Sequence, residues 1–89
     1  MKEVTIENVL KILNSMDNIE VTEEQLEDDL TDCGMDSITF IQTTVALEEE
    51  FECEIPDSKL MLREMNTVKK IIDVLQALYD ESMIESDVL

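Results

Sequence analysis

One serine, Ser37, lies where a side-chain hydroxyl could take part in covalent chemistry. It sits in the pentapeptide Gly34-Met35-Asp36-Ser37-Ile38, directly before a stretch with helical spacing of apolar residues. Asp36 is a favourable N-cap residue, so Ser37 is predicted to open a helix. An anion attached to its hydroxyl would then lie at the positive end of the helix dipole. Taken alone, however, the pentapeptide is more typical of an ordinary serine beside a helix cap.

Two functions of other classes fit the residues poorly. The chain has no His and no visible pair of nucleophile and base, so we expect no catalytic residue and no enzyme activity. A calcium-binding loop needs acids at alternate positions, Gly at the sixth position and Glu at the twelfth. With Gly34 placed sixth, Cys33 stands fifth and Phe40 twelfth. The calcium pattern fails, and we expect no metal site.

The composition favours one small, all-α domain. The chain has 89 residues, of which 44% are hydrophobic and only 3% aromatic, so aliphatic side chains must fill the core. One Gly and one Pro supply few turns for a fold built of β-hairpins. We expect a single domain over 1–89, with a core over about 5–79 and a frayed tail over 80–89, where the apolar period is lost.

Apolar spacing and capping residues predict a four-helix bundle, with three main helices, one short helix and a long loop between the first two. The predicted elements are helix 1 over 5–16 with Thr5 as N-cap, helix 2 from its N-cap Asp36 to Phe51, a short helix over 58–64 capped by Asp57, and a last helix from Asn66-Thr67 to Tyr79. In the long loop 17–35, a capping box at 22–25 predicts a turn or two of helix. Leu26 and Leu30 are expected to attach this loop to the core.

Helix 2 is predicted to be apolar on two separate faces. The first face, expected in the core, comprises Phe40, Thr44, Leu47 and Phe51. The second face comprises Ile38, Ile41 and Val45, followed by Glu48 and Glu49. Because deep burial conflicts with the acidic run at 48–50, the second face is predicted to dock a partner. The alternative is that the packed helices simply bury both faces.

The charge distribution indicates a cationic partner. Six Lys and Arg against 23 Asp and Glu give a formal charge of −17, and every charged residue between Lys11 and Lys59 is acidic. Phosphate backbones and anionic membranes would be repelled, whereas a basic protein surface would be attracted. We therefore expect a monomer that binds basic protein surfaces, and neither nucleic acid nor membranes.

The chain start predicts a cytoplasmic location, and the placement of the two cysteines predicts that both are reduced. The start, Met1-Lys2-Glu3-Val4-Thr5, does not resemble the apolar region of a secretory leader, and nowhere in this sequence do about 18 apolar residues run together. Cys33 and Cys53 flank helix 2, whose ends are about 22 Å apart. Since a disulfide joins Cα atoms within about 7 Å, both cysteines are expected to be reduced.

Four segments in consistent order over about 5–79 carry a family resemblance. They are Gly34 with Asp36-Ser37-Ile38, then Val45-Ala46-Leu47-Glu48-Glu49-Glu50-Phe51, then Ile55-Pro56-Asp57, and finally Thr67-Val68. In acyl carrier proteins, Asp-Ser-Leu or Asp-Ser-Ile after a Gly opens the second helix, and the other segments resemble the end of that helix and the starts of the next two. The chain thus resembles the acyl carrier protein family of phosphopantetheine-binding carrier domains.

The resemblance implies a covalent 4′-phosphopantetheine on Ser37, with Asp36 and Gly34 beside it. In the family, a phosphopantetheinyl transferase loads this group from coenzyme A with Mg²⁺, and its thiol then carries acyl intermediates as thioesters. The implied partners are acyl-loading and acyl-transfer enzymes of fatty-acid, polyketide or nonribosomal-peptide biosynthesis. They would meet the docking residues Ile38, Ile41, Val45, Glu48 and Glu49.

Several positions bear on the pathway. Carriers of primary fatty-acid synthesis usually have acids where this chain has Thr39 and Gln42. Phe40 and the segment 60–66 resemble stand-alone carriers of polyketide or nonribosomal-peptide assembly. Asp36 favours an acyl cargo, because peptidyl carriers typically have His there. The remaining alternative is an acidic helical interaction module without a prosthetic group.

Overall fold

The computed structural model describes the backbone of residues 3–88 and the side chains of residues 3–81. The α-helices of this part are α1 (Ile6–Asn14), α2 (Ser37–Phe51) and α3 (Val68–Val88). Short 3₁₀ turns lie at Glu23–Gln25, Leu30–Cys33, Asp57–Lys59 and Leu62–Glu64. No strand occurs within the described range. The all-α class is confirmed.

Capping side chains define where α1 and α2 begin. Thr5 Oγ1 accepts a hydrogen bond from the Asn8 N–H at 3.2 Å, and Asp36 Oδ1 accepts one from the Thr39 N–H at 2.8 Å. Both predicted N-caps are confirmed, as is the end of α2 at Phe51. Helix α1 ends slightly earlier than predicted, at Asn14.

Helix α3 begins as predicted but extends further. Thr67 Oγ1 accepts a hydrogen bond from the Lys70 N–H at 3.1 Å, as expected of a cap. The helical backbone continues to Val88, so the end near Tyr79 was predicted too early. The tail loses its apolar period but contains neither Gly nor Pro, and no residue there breaks a helix. Its side chains beyond 81 lie outside the described residues, and fraying in solution stays a prediction.

The predicted short helix over 58–64 is wrong. Two 3₁₀ turns, Asp57–Lys59 and Leu62–Glu64, occupy this segment. Met61 separates them in an extended conformation, with φ −129° and ψ 136°. The described part is therefore a bundle of three α-helices, and the predicted four-helix bundle is not confirmed.

The order of apolar residues explains this break. Leu60, Met61 and Leu62 follow one another directly, so they cannot share one face of a short helix. The extended residue allows Leu62 to pack against the core while Leu60 and Met61 stay exposed. Asp57 is also not the predicted N-cap, because Pro56 occupies that position and no side chain caps the turn.

The core lies between the three helices, with α1 packed against both α2 and α3. Its buried apolar residues come from the helices and the connections alike: Val4, Val9, Leu10, Leu13, Ile19, Val21, Leu30, Met35, Phe40, Leu47, Phe51, Ile55, Met65, Val68, Ile71 and Leu75. Over residues 3–88, none of the helices combines the length and apolar character that a bilayer crossing requires.

The long connection between α1 and α2 is attached to the core, as predicted. Leu30 is fully buried, and Leu26 is half-buried against the core. Backbone bonds add to this contact, because the Leu30 N–H donates to the Asn66 carbonyl at 2.7 Å and the Lys69 N–H to the Leu26 carbonyl at 2.9 Å. The segment that leads to α2 is thereby fixed against the start of α3.

Replacing Leu30 with Ala is expected to lower the free energy of unfolding by about 2–5 kcal/mol, because a fully buried side chain leaves a cavity. The matched control is Leu26→Ala, which removes a half-buried leucine from the same connection and should cost clearly less. Urea unfolding followed by circular dichroism measures both costs. Equal costs would contradict the anchoring role of Leu30.

Candidate functional site

Ser37 is the first residue of α2, and its side chain is exposed. The first backbone hydrogen bond of the helix runs from the Phe40 N–H to the Asp36 carbonyl at 2.8 Å. The N–H groups before Phe40 have no carbonyl partner within the helix. Together with the helix dipole, they favour negative charge near the Ser37 oxygen.

The carboxyl group of Asp36 fixes the first turn of this helix. The hydrogen bond from the Thr39 N–H lowers the pKa of Asp36 below its usual value, so the group is a carboxylate at neutral pH. The pKa of Asp29, the N-cap of the turn Leu30–Cys33, is lowered in the same way, mainly by the Thr31 N–H. Both caps therefore stabilise the fold fully at pH values above about 3.9, the pKa of Asp in the unfolded chain. That stabilisation is lost as the pH falls through the lower pKa values that Asp36 and Asp29 have in the folded protein.

Gly34 allows the chain to turn sharply before Ser37. Its φ of 110° lies in the left-handed region, at the end of the turn Leu30–Cys33. A Cβ atom at this position would overlap the backbone carbonyl oxygen of Asn18. Both the φ angle and this close approach exclude a larger residue without rearrangement. The predicted role of Gly34 in the tight approach of the loop therefore has a definite partner, Asn18.

A groove of about 400 Å³ begins at Ser37 and follows α2. Its lining residues come from α2 and from the segment 60–62 beyond it: Ser37, Phe40, Ile41, Thr44, Val45, Glu48, Leu60 and Leu62. Most of these side chains are apolar. The sequence does not predict the groove, because the apolar spacing places Leu60 and Leu62 in a short helix.

The second face of α2 is open to solvent. Ile38 is 70% exposed, Ile41 62% and Val45 47%. In contrast, Phe40, Leu47 and the rest of the first face are buried. The alternative that the bundle buries both faces therefore does not hold. Whether the open face docks a partner stays a prediction.

The two acidic docking candidates differ in their surroundings. Glu49 is exposed, whereas Glu48 is half-buried, and Glu48 Oε2 accepts a hydrogen bond from the Ile55 N–H at 3.0 Å. Glu48 thus holds the chain where it leaves α2, a role that no local sequence pattern indicates. Glu49 makes the cleaner probe of docking.

Cys33 and Cys53 are free, partly buried thiols. Burial raises the pKa of both groups, and nearby carboxylates raise it further: those of Asp28, Asp32 and Asp29 for Cys33, and that of Glu48 for Cys53. Both side chains are therefore protonated and weakly nucleophilic at neutral pH. Among the residues with described side chains, no cluster of three or more His, Cys, Asp or Glu is arranged to hold a metal ion.

Comparison with protein families agrees with this geometry. Residues 7–75 match the PP-binding family model, described as the phosphopantetheine attachment site. The match covers far more than half of the 89 residues and includes Gly34, Asp36, Ser37 and the whole of α2. The chain therefore belongs to the family of phosphopantetheine-binding carrier domains that includes the acyl carrier proteins.

Proposed function

We propose that this protein is an acyl carrier protein whose 4′-phosphopantetheine is attached to Ser37. One observation carries the proposal: an exposed serine hydroxyl at the first residue of α2, within the region that matches a phosphopantetheine attachment site. When bound, the group supplies a flexible arm whose thiol holds acyl intermediates as thioesters. The protein itself is a carrier and substrate of other enzymes, without catalytic residues of its own.

In the loading reaction, Ser37 is the nucleophile, and a separate phosphopantetheinyl transferase supplies Mg²⁺ and coenzyme A. The Ser37 oxygen bonds to the phosphorus next to pantetheine, while the bond from this phosphorus to the bridging oxygen breaks. The leaving group is 3′,5′-ADP, and the hydroxyl proton passes to a base of the transferase. The contribution of this chain is to present the hydroxyl, with Asp36 fixing the helix start and Gly34 the turn before it.

The surroundings of Ser37 fit such a group. The start of the 15-residue helix α2 favours the negative charge of a phosphodiester. The groove beside Ser37 adds an apolar surface, formed by residues such as Ile41, Val45 and Leu60. An acyl chain lying against that surface would be partly removed from water, which is favourable for apolar groups.

We infer that partner enzymes bind the exposed face of α2. Three exposed apolar side chains stand next to acidic residues on the same helix, so a complementary surface would be apolar with a basic border. The docking residues are Ile38, Ile41, Val45, Glu48 and Glu49. The net charge of −17 would speed the encounter with basic partners in a salt-dependent manner.

The finer assignments are also proposals. Thr39, Phe40 and Gln42, together with the segment 60–66, support a stand-alone carrier of polyketide or nonribosomal-peptide type. We propose that it works as a cytoplasmic monomer, in which 1–89 form one carrier domain. The second candidate function, an acidic interaction module without a prosthetic group, is supported by the exposed face of α2 alone. It requires that Ser37 is never modified.

Incubation with a phosphopantetheinyl transferase and coenzyme A is expected to add the mass of one phosphopantetheine to the intact protein. Ser37→Ala should abolish this gain while leaving the helical circular dichroism unchanged, because Ser37 is exposed. Ser58→Ala, which removes an exposed hydroxyl from another turn, is the matched control and should load normally. Loading of Ser37→Ala at any other residue would refute the assignment.

Changes on the exposed face of α2 should slow transfer between the loaded carrier and a partner enzyme. For Ile41→Glu and for Glu49→Lys we expect a loss of about 5- to 30-fold in kcat/KM, as for an interface residue worth 1–2 kcal/mol. Added salt should reduce the effect of Glu49→Lys, since that contact is a screened surface charge.

The control for these variants is Asp73→Lys, which alters an exposed acid of α3 by the same charge difference. It should transfer at close to the wild-type rate. If Asp73→Lys and Glu49→Lys slowed transfer equally, the effect would reflect net charge, and the docking face would lose its support.

Loading should also raise the pKa of Asp36, because a negatively charged phosphodiester on the neighbouring residue disfavours the carboxylate. A carboxyl NMR titration of the unloaded and loaded protein measures this shift. Asp29 is the matched control, since it too caps a turn and has a lowered pKa, and it should shift less. An unchanged pKa of Asp36 would place the phosphodiester away from this carboxylate.

A further inference from the structure

We propose that Asn18, in the connection after α1, is a positioning residue for the modification of Ser37. This inference rests on the proposed function, because it concerns the same hydroxyl. Asn18 lies far from Ser37 in sequence, in a polar turn that carries no recognisable functional motif. Its side chain nevertheless reaches the residues on both sides of Ser37.

The amide group of Asn18 connects the loop before Ser37 with the helix after it. Asn18 Nδ2 lies 2.6 Å from the Gly34 carbonyl oxygen and 3.0 Å from Thr39 Oγ1, and it can donate one hydrogen to each. The Thr39 hydroxyl also lies 3.2 Å from Asn18 Oδ1. One side chain therefore bridges the two segments that meet at Ser37.

These contacts continue to the residue next to Ser37. Thr39 is only 5% exposed, whereas Asn18 is exposed, so the hydrogen bond between their side chains is partly buried. The N–H of the same Thr39 donates to the carboxylate of Asp36 at 2.8 Å. Asn18, Thr39 and Asp36 thus form a continuous network that determines how the first turn of α2 is oriented.

The backbone around Asn18 supports the same contact. The space that a Cβ of Gly34 would need is taken by the Asn18 carbonyl oxygen. Close by, the Glu20 N–H donates to the Cys33 carbonyl at 3.2 Å. Segments 18–20 and 33–34 therefore lie backbone against backbone, and the amide of Asn18 joins this pair to α2.

A reaction in another enzyme's active site depends on how the nucleophile is held. Small displacements of a reacting atom cost large factors in rate, even when binding is unchanged. Without the Asn18 amide, the Gly34 carbonyl and the Thr39 hydroxyl would lose a common partner. The loop could then move relative to α2, and Ser37 would spend less time in the geometry that the transferase requires.

Asn14 offers a matched control in the same part of the chain. Its Nδ2 donates to the carbonyls of Leu10 and Val21 at 2.9 and 2.8 Å, and its Oδ1 accepts from the Val21 N–H at 2.9 Å. It is the same residue type, and its side chain makes a similar number of hydrogen bonds. These bonds go to α1 and to the connection, and none of them goes to 34–39.

The test compares the loading of Asn18→Ala, Asn14→Ala and the wild type by a phosphopantetheinyl transferase, with coenzyme A in excess and the carrier concentration varied. Asn18→Ala should lower kcat about tenfold or more while the KM for the carrier changes little, as expected when only the transition-state geometry is lost. Asn14→Ala should lower the unfolding midpoint but keep the wild-type kcat. An equal loss of kcat in both variants would overturn the positioning role.

A second variant covers the case in which Asn18→Ala fails to fold. Asn18→Asp keeps the shape of the side chain but removes the two amide donors. It should speed the hydrogen exchange of the backbone over 34–39 more than that over α3, a readout that needs no loading. Unchanged exchange over 34–39 would overturn the proposal.

Coupling between Asn18 and Thr39 is the third measurement. Because both residues act through one network, the rate losses of Asn18→Ala and Thr39→Val should not add in the double variant. Additive losses would overturn the proposal. If the wild type itself is never loaded, the proposed function fails and this inference fails with it. A wild type that loads normally beside an unaffected Asn18→Ala overturns the inference alone.

Discussion

The presentation of Ser37 depends on one close approach, between the backbone of Gly34 and that of Asn18. Only glycine fits there, since a Cβ would overlap the Asn18 carbonyl oxygen and φ is 110°. The long connection can reach this contact because Leu30 is buried in the core. The start of α2 is therefore held by the tight turn that precedes it and by the buried inner face of the helix.

The two faces of α2 differ, because one is buried in the core and the other is exposed. Its inner face must hold the helix in place, and it includes buried threonines as well as apolar residues. Their hydroxyls donate to backbone carbonyls, Thr43 to Thr39 and Thr44 to Ile41, each at 2.8 Å. In the part of the chain with described side chains, no buried side-chain nitrogen or oxygen lacks a partner, so these hydroxyls carry little desolvation cost. The outer face is then free to stay apolar and exposed, which is unfavourable unless another surface covers it.

The sequence predicts the features that depend on neighbouring residues better than those that depend on contacts between distant segments. Asp36 and the apolar period of α2 act within a few residues, so the limits of that helix are predicted correctly. The break at Met61 was missed, because three consecutive apolar residues suit several local structures and tertiary packing chooses among them. The groove and the Glu48–Ile55 hydrogen bond were missed for the same reason, since each joins segments whose relative placement no local pattern gives. The proposed role of Ser37 rests on the family resemblance rather than on a local pattern.

The large negative charge acts mainly outside the molecule. Within the chain, Lys69 Nζ lies 3.8 Å from Glu27 Oε1, and both side chains are exposed. Such a surface ion pair adds little to stability. Because 23 acids face only six cations, the net charge disfavours the compact state and repels other copies of the same chain. This net charge attracts basic surfaces over a long range and raises the rate of encounter, but it does not by itself fix a docking geometry. We therefore expect selection among the proposed basic partners to come from short-range features, and the described surface places three of them side by side: the apolar face of α2, the groove, and the exposed Ser37.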